Sequence, residues 1–197
     1  MIFRRGDTRP KILSALDDLD FATFDGDPYD LNIIGVRTES KVANRFDDFL
    51  HVCFRLDGIW VEEIYPCTVD PGQYHLSNPG RLEGCAVICS PQQMRSTYTI
   101  GLHRGKYECL VIKKPVSIWR DNTKDEIIDT DSDRYDGWGI HIHKAGRNST
   151  EVNKWSAGCT VLQDERDFDR LMELARKQVS SGFGSWYTYT VIDGVYL

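Results

Sequence analysis

The chain has 197 residues, with 24 Lys and Arg against 30 Asp and Glu, and a net charge of −6. This length suffices for one compact domain with a sizeable core, and an acidic chain without any Lys/Arg-rich stripe is a poor partner for nucleic acid. No window reaches the roughly 18 consecutive apolar residues that span a bilayer, and the N-terminus lacks an apolar signal segment, so we expect no membrane insertion and a chain that is cytoplasmic at synthesis.

Residues 1–57 are predicted to form an N-terminal arm or cap that packs on the rest of the domain. They contain a short amphipathic piece at 11–16 and a turn-rich stretch at 25–30. The apolar run at 31–37 is typical of a buried strand, whereas 44–54 fits either a strand or a short helix.

From Gly58 onward the pattern is strongly β, because runs of β-branched and aromatic residues are bounded by Gly, Pro, Asp or Asn. One helix is expected after Asp164, which can cap it and is followed by apolar residues at helical spacing. The fold class is therefore mainly β (α+β). The predicted strands lie at 59–65, 98–102, 108–112, 116–120, 139–143, 160–162 and 186–192, with a hairpin turn at 103–107 and a polar loop at 121–136.

Six cysteines are present, and a cytosolic chain keeps them reduced. The Cys-x-x-x-Cys spacing of two of them could suggest zinc, but no second Cys or Cys/His pair completes a tetrahedral set. Five are interpreted as small core residues: Cys53, Cys67, Cys85, Cys89 and Cys109.

Cys159 is the candidate nucleophile. A thiol attacks as the thiolate, so it needs a base or a positive field that lowers its pKa, and His143 on the predicted strand 139–143 is the candidate base. Gly158 permits a sharp turn in which amide groups can converge on the oxygen of a tetrahedral intermediate. Ser156 can hydrogen-bond within the same turn.

The pattern of Gly139-Ile140-His141-Ile142-His143 followed by Ser156-Ala157-Gly158-Cys159 resembles the His…Ser-x-Gly-Cys signature of YkuD-type L,D-transpeptidases. The segment 69–76 is similar to the Thr-Pro-x-Gly-x-Phe segment that opens the family's catalytic sheet. The resemblance covers about 59–197. It implies a YkuD-like β-sandwich or mixed-sheet catalytic domain over 58–197, with its main helix after the cysteine and a small N-terminal cap.

The resemblance also implies a reaction. Cys159 would attack a carbonyl between L- and D-centred residues of a peptidoglycan stem peptide and form a thioester, with His143 as base. Water then makes the protein a peptidase and an amine makes it a transpeptidase, without cofactor or metal. Substrate contacts are expected from His141, Trp155 and the hairpin residues His103, Arg104 and Tyr107, of which Arg104 suits a carboxylate.

Two positions depart from the family's pattern. Ala157 stands where the family has His or a similar polar residue, and Val161 stands where it has an arginine that helps to hold the substrate. These departures leave the donor substrate and the direction of reaction open, and the oligomeric state is also open. The compact size and the expected lack of a signal peptide and of a cell-wall-binding module predict a divergent, phage-encoded relative that acts on the cell wall after release or as a phage component.

Two other functions compete with this one. In a metal-dependent hydrolase, His141 and His143 bind zinc from one strand face, and Asp136, His103 or His75 completes the site. The other alternative is a non-catalytic wall-binding or virion protein with the same fold. The arginine missing at position 161 favours it, and the retained Cys and His oppose it.

Overall fold

The computed structural model describes residues 1–147 and 149–197. It confirms the mainly β class, since 39% of the chain is strand and 16% helix. Among the described residues, no helix is both long and apolar enough to cross a membrane. The helices are α1 (Lys11–Asp18), α2 (Gln73–Ser77) and α3 (Glu165–Ser180), and the strands are β1 (Ile2–Gly6), β2 (Asn32–Arg37), β3 (Asp48–Leu56), β4 (Ile59–Thr68), β5 (Cys85–Ile88), β6 (Gln92–His103), β7 (Tyr107–Ile112), β8 (Val116–Asp121), β9 (Tyr135–Gly137), β10 (Ile142–Lys144), β11 (Thr160–Leu162) and β12 (Tyr187–Asp193).

The main sheet closes on itself rather than forming the expected two-layer sandwich. Its strand order is β1-β4-β11-β10-β7-β6-β12-β2-β3, and β3 also pairs with β4, which closes a barrel of eight strands with β1 alongside. The closure is possible because β3 pairs with β2 on one side and with β4 on the other. The pairs β10–β11 and β12–β2 are parallel, and β5, β8 and β9 form a separate small sheet.

The N-terminal segment contributes to the main sheet instead of only covering it. Both β2 and β3 lie within 1–57, and they occupy the places between β12 and β4. Helix α1 contains the predicted amphipathic piece at 11–16 and covers the sheet as expected. Its residues Ile12, Leu13 and Leu16 pack against residues of β2, β3 and β12. The domain boundary at residue 57 stays a prediction. However, β2 and β3 are strands of the main sheet and do not form an arm outside it.

Helix α3 confirms the one helix that the sequence predicts. The Asp164 side chain accepts a hydrogen bond from the backbone N–H of Arg166 at 2.8 Å, which satisfies one of the free amides of the first turn. The apolar face is buried and belongs to the largest hydrophobic cluster. The residues of this apolar face are the five predicted ones, Phe168, Leu171, Met172, Leu174 and Ala175.

Local patterns predict most of the strands, with differences near the site. The uncertain segment 44–54 contains the start of strand β3, and the turn at 103–107 joins β6 to β7 as predicted. The predicted strand 139–143 is shorter and later, since β10 begins at Ile142. The sequence does not predict the strands β1 and β5 or the short helix α2, and it places β9 (Tyr135–Gly137) largely in the loop expected at 121–136.

Candidate active site

A cavity of about 460 Å³ brings together residues that are distant in the sequence. A larger surface cleft of about 790 Å³ lies elsewhere, but none of its lining residues is a cysteine or histidine. The chemistry therefore points to the smaller cavity. Six predicted site residues line it: Cys159, His143, His141, Trp155, His103 and Arg104.

The turn before the nucleophile is held by Ser156. This side chain is fully buried, and its Oγ donates to the carbonyl oxygen of Cys159 at 2.8 Å and accepts from the N–H of Gly158 at 3.1 Å. The Gly158 N–H is thus engaged within the turn, so any amide that converges on the oxygen of a tetrahedral intermediate must come from another residue. Both Ser156 and Gly158 shape the turn and do not line the cavity.

Gly158 is required by its conformation and by a close approach. Its φ is +113°, and an added Cβ would lie 2.5 Å from the carbonyl oxygen of Ala86 on β5. The glycine thus lets the nucleophile turn lie directly against the small sheet. On the other side, the N–H of Gly72 donates to the carbonyl oxygen of Ser156 at 2.9 Å, so the segment 69–76 supports the same turn.

We expect Gly158→Ala to destabilise the protein by more than the roughly 1–3 kcal/mol of backbone strain alone, because the Ala86 backbone cannot move aside. Chemical denaturation measures the loss. The matched control is Gly105→Ala at the β6–β7 turn, where φ is +70° but no atom lies within 4 Å of an added Cβ. Equal losses for the two variants would contradict the close approach at Gly158.

The thiol of Cys159 is held by backbone groups. The N–H of His141 donates to Sγ at 3.4 Å, and Sγ donates to the carbonyl oxygen of Gly139 at 3.3 Å. The parallel register of β10 and β11, in which Thr160 N–H donates to His141 O at 3.0 Å, creates these contacts. In this arrangement the thiol proton faces a carbonyl oxygen, and among the described residues no imidazole hydrogen-bonds to Sγ.

The surroundings of Cys159 raise the pKa of its thiol instead of lowering it, and the activation that a base would supply stays a prediction. Burial raises the pKa of Cys159 to about 11, and the His141 N–H and the charge of Arg104 lower it only in part. The imidazoles of His141 and His143 are uncharged near neutral pH, so they add no positive field that would offset this desolvation.

The alkylation rate of Cys159 with iodoacetamide should therefore keep rising about tenfold per pH unit between pH 8 and pH 10, where a free thiol with a pKa near 8.5 levels off. Mass spectrometry of the Cys159 peptide measures this rate. The other five cysteines are buried and give little background. A plateau below pH 8 would show that the thiol is activated after all.

His143 is held by a backbone carbonyl at one ring nitrogen. It is 3% exposed, and its Nδ1 lies 3.0 Å from the carbonyl oxygen of Lys144. Because a carbonyl only accepts, we infer that Nδ1 carries the proton and that Nε2 keeps its lone pair. Burial lowers the pKa of His143 to about 4, with a smaller opposing effect of the Lys144 carbonyl and further lowering by His103 and His141. The imidazole is thus neutral at pH 7 and can accept a proton.

His141 has the opposite tautomer. The backbone N–H of Ile112 donates to its Nδ1 at 3.4 Å, which places the ring proton on Nε2. Burial, with the charges of His103 and Lys113, lowers the pKa of His141 to about 4. This ring therefore suits hydrogen-bond donation to a substrate oxygen, and the two histidines of the His-x-His pair have different roles.

His103 packs against both of these histidines. Its ring centroid lies 4.4 Å from that of His143 at an interplanar angle of 33°, and 6.0 Å from that of His141. Burial lowers the pKa of His103 as well. Tyr107 does not line the cavity, contrary to the prediction, because its ring lies behind His103 at 5.3 Å.

The histidine cluster is not arranged as a metal site. Within 1–147 and 149–197, no group of three or more His, Cys, Asp or Glu side chains is placed to hold a metal ion. The nearly stacked rings of His103 and His143 direct faces, not nitrogen lone pairs, toward each other. His75 also lines the cavity, but its Nε2 lies 3.3 Å from the carbonyl oxygen of Lys154.

The sequence interpretation missed three cations of the cavity, Arg81, Arg120 and Lys154. Arg81, Arg120 and Lys154 line it together with Arg104, and Asp136 is the acidic residue among the lining side chains. Two exposed tryptophans, Trp138 and Trp155, also contribute to its walls. No local motif marks these cations, because they come from separate loops and strands.

No family model, curated protein or solved structure matches this chain. The resemblance to YkuD-type enzymes therefore rests on the motif residues of the sequence alone and stays a prediction.

Proposed function

We propose that the protein is a cysteine acyl-transfer enzyme that acts on peptidoglycan stem peptides, as an L,D-transpeptidase or L,D-peptidase. The observation that carries the proposal is the placement of Cys159 and a neutral, Nε2-accepting His143 in one cavity. The cavity also offers cationic side chains to a substrate that carries carboxylates.

The chemistry begins from a neutral thiol and a neutral imidazole. As Sγ of Cys159 bonds to the substrate carbonyl carbon, the thiol proton passes to Nε2 of His143, since neither group is ionised beforehand at pH 7. The tetrahedral intermediate then breaks its C–N bond, and His143 returns the proton to the leaving amine. Water or a second amine attacks the thioester, and the C–S bond breaks to restore the thiol.

The proposal includes a divergent YkuD-type catalytic domain in which residues 1–57 add three strands, β1, β2 and β3, to the main sheet. The closed sheet and the residues Ala157 and Val161 separate it from the family's usual pattern. We also propose that it reaches the cell wall after release or as a phage component. The same fold without catalysis, in a wall-binding or virion protein, is the alternative that the experiment below tests.

The test is incubation of the protein with purified disaccharide tetrapeptides and pentapeptides, followed by mass spectrometry of both the protein and the muropeptides. We expect an acyl adduct on Cys159 and either a shortened stem or a cross-linked dimer. Cys159→Ala should form neither. The matched control is Cys89→Ala, which removes a buried thiol outside the cavity and should retain activity.

Two outcomes would contradict the proposal. Unchanged muropeptides and an unmodified Cys159 would remove the peptidoglycan assignment, and a wall-binding role would then be tested by sedimentation with sacculi. Product formation by Cys159→Ala would remove the nucleophile.

A further inference from the structure

The cavity carries positive charge although the chain is acidic. The net charge of the protein is −6, yet the lining includes four cationic side chains and one carboxylate, that of Asp136. Among the described residues, none of the four cations, Arg81, Arg104, Arg120 and Lys154, takes part in an ion pair. Such a local excess of one sign of charge attracts ligands of the opposite sign.

Arg120 is held next to the nucleophile turn. It lies on β8 opposite Ala86 of β5, and Ala86 is the residue against which Gly158 packs. The Arg120 backbone N–H donates to Ser132 Oγ at 2.8 Å, and its Nη1 donates to the carbonyl oxygen of Gly84 at 3.2 Å. This arginine is therefore positioned by the small sheet before any ligand binds.

Arg81 adds a second charge on the same side. Burial lowers the pKa of Arg120, and the nearby charge of Arg81 lowers it further. Glu83 offsets part of this charge, but neither guanidinium group is in an ion pair among the described residues, and a bound anion that contacts both removes their mutual repulsion. Arg104, at the β6–β7 turn, reaches the cavity from a different element.

We propose that Arg120 and Arg81 form an anion-binding wall of this cavity. They hold a carboxylate of the acyl donor while Cys159 attacks the carbonyl carbon of the donor. The identity of the donor rests on the proposed function, whereas the preference for an anion does not. A carboxylate fits the wall because a guanidinium group binds it through two parallel hydrogen bonds.

Iodoacetate and iodoacetamide test the anion preference without any assumption about the substrate. Each reagent forms the same C–S bond at Cys159 and releases iodide, while the thiol proton goes to the buffer. They differ mainly in the negative charge of iodoacetate. We expect the ratio of the iodoacetate rate to the iodoacetamide rate to be about tenfold higher at Cys159 than at N-acetylcysteine, which corresponds to about 1.4 kcal/mol.

The variants identify the wall. Arg120→Gln should lower this ratio at least about threefold, Arg120→Lys should keep most of it, and 1 M salt should reduce the wild-type ratio. The matched control is Arg5→Gln, at an exposed arginine on β1, which should leave the ratio unchanged. If circular dichroism shows that Arg120→Gln does not fold, Arg81→Gln serves as the second variant.

A wild-type ratio equal to that of N-acetylcysteine would overturn the proposal. So would a ratio that both Arg120→Gln and Arg81→Gln leave unchanged. The test is then extended to pairs of stem peptides whose side-chain carboxylate is either free or amidated. We expect the KM of the free acid to be about tenfold lower than that of the amide. A high alkylation ratio without acylation by any stem peptide would retain the anion-binding wall and reject the proposed function.

Discussion

Replacement of His143 by Gln is expected to lower the rate of acyl transfer by about 10²- to 10⁴-fold at pH 7, the usual contribution of a general base. The reason is that desolvation raises the pKa of the Cys159 thiol to about 11, so little thiolate exists without a proton acceptor. Steady-state kinetics with the muropeptide substrate measures the loss, which should appear in kcat rather than in KM.

The pH dependence of the rate provides a second test of His143 as the base. The pKa of His143 is about 4, so the imidazole is protonated and inactive below that pH, and the wild-type rate should rise as the pH increases through about 4. His143→Gln should lose this acidic limb and instead gain rate with the thiolate fraction at alkaline pH. The control is His75→Gln, which changes another histidine of the cavity and should keep the wild-type profile. An unaltered profile in His143→Gln would remove His143 as the base.

Arg170→Met is expected to destabilise the protein by about 3–5 kcal/mol, because it leaves a buried carboxylate without its charge partner. Glu63 is 1% exposed, and Arg170 donates to it through Nε at 3.2 and 3.1 Å and through Nη2 at 2.7 Å. The Tyr65 hydroxyl also donates to Glu63. This network connects α3, the helix that follows the nucleophile, to β4. Urea denaturation measures its contribution to the free energy of unfolding.

A double-mutant cycle separates the pair from its parts. Combining Arg170→Met with Glu63→Met removes both charges, so the double variant should be more stable than Arg170→Met alone. Arg166→Met is the control, since Arg166 is an exposed arginine of the same helix whose ion pair with Asp164 lies in solvent. A loss below 1 kcal/mol for Arg170→Met would show that Glu63 finds another partner or takes up a proton.

Features that depend on near neighbours in the chain could be predicted from the sequence. The apolar spacing and the Asp164 cap predict α3, and the Gly-containing turn between two β-rich runs predicts the β6–β7 hairpin. The prediction of a strand at 139–143 is less accurate. Residues 139–141 turn toward the thiol of Cys159 and do not pair as a regular strand. Sheet closure could not be predicted, because β3 finds β2 and β4 through a pairing that local pattern does not specify.

The sequence by itself determined the strand-rich class, the position of α3 and the choice of Cys159 and His143 as the candidate pair, because residue type and short spacing contain that information. Only the tertiary structure decided the protonation of this pair and the charge around it. Burial raises the pKa of the thiol and lowers that of the imidazole, and burial is a property of the packed molecule. In the same way, Arg81 and Arg120 join the cavity of Cys159 only because the small sheet packs against the turn at Gly158.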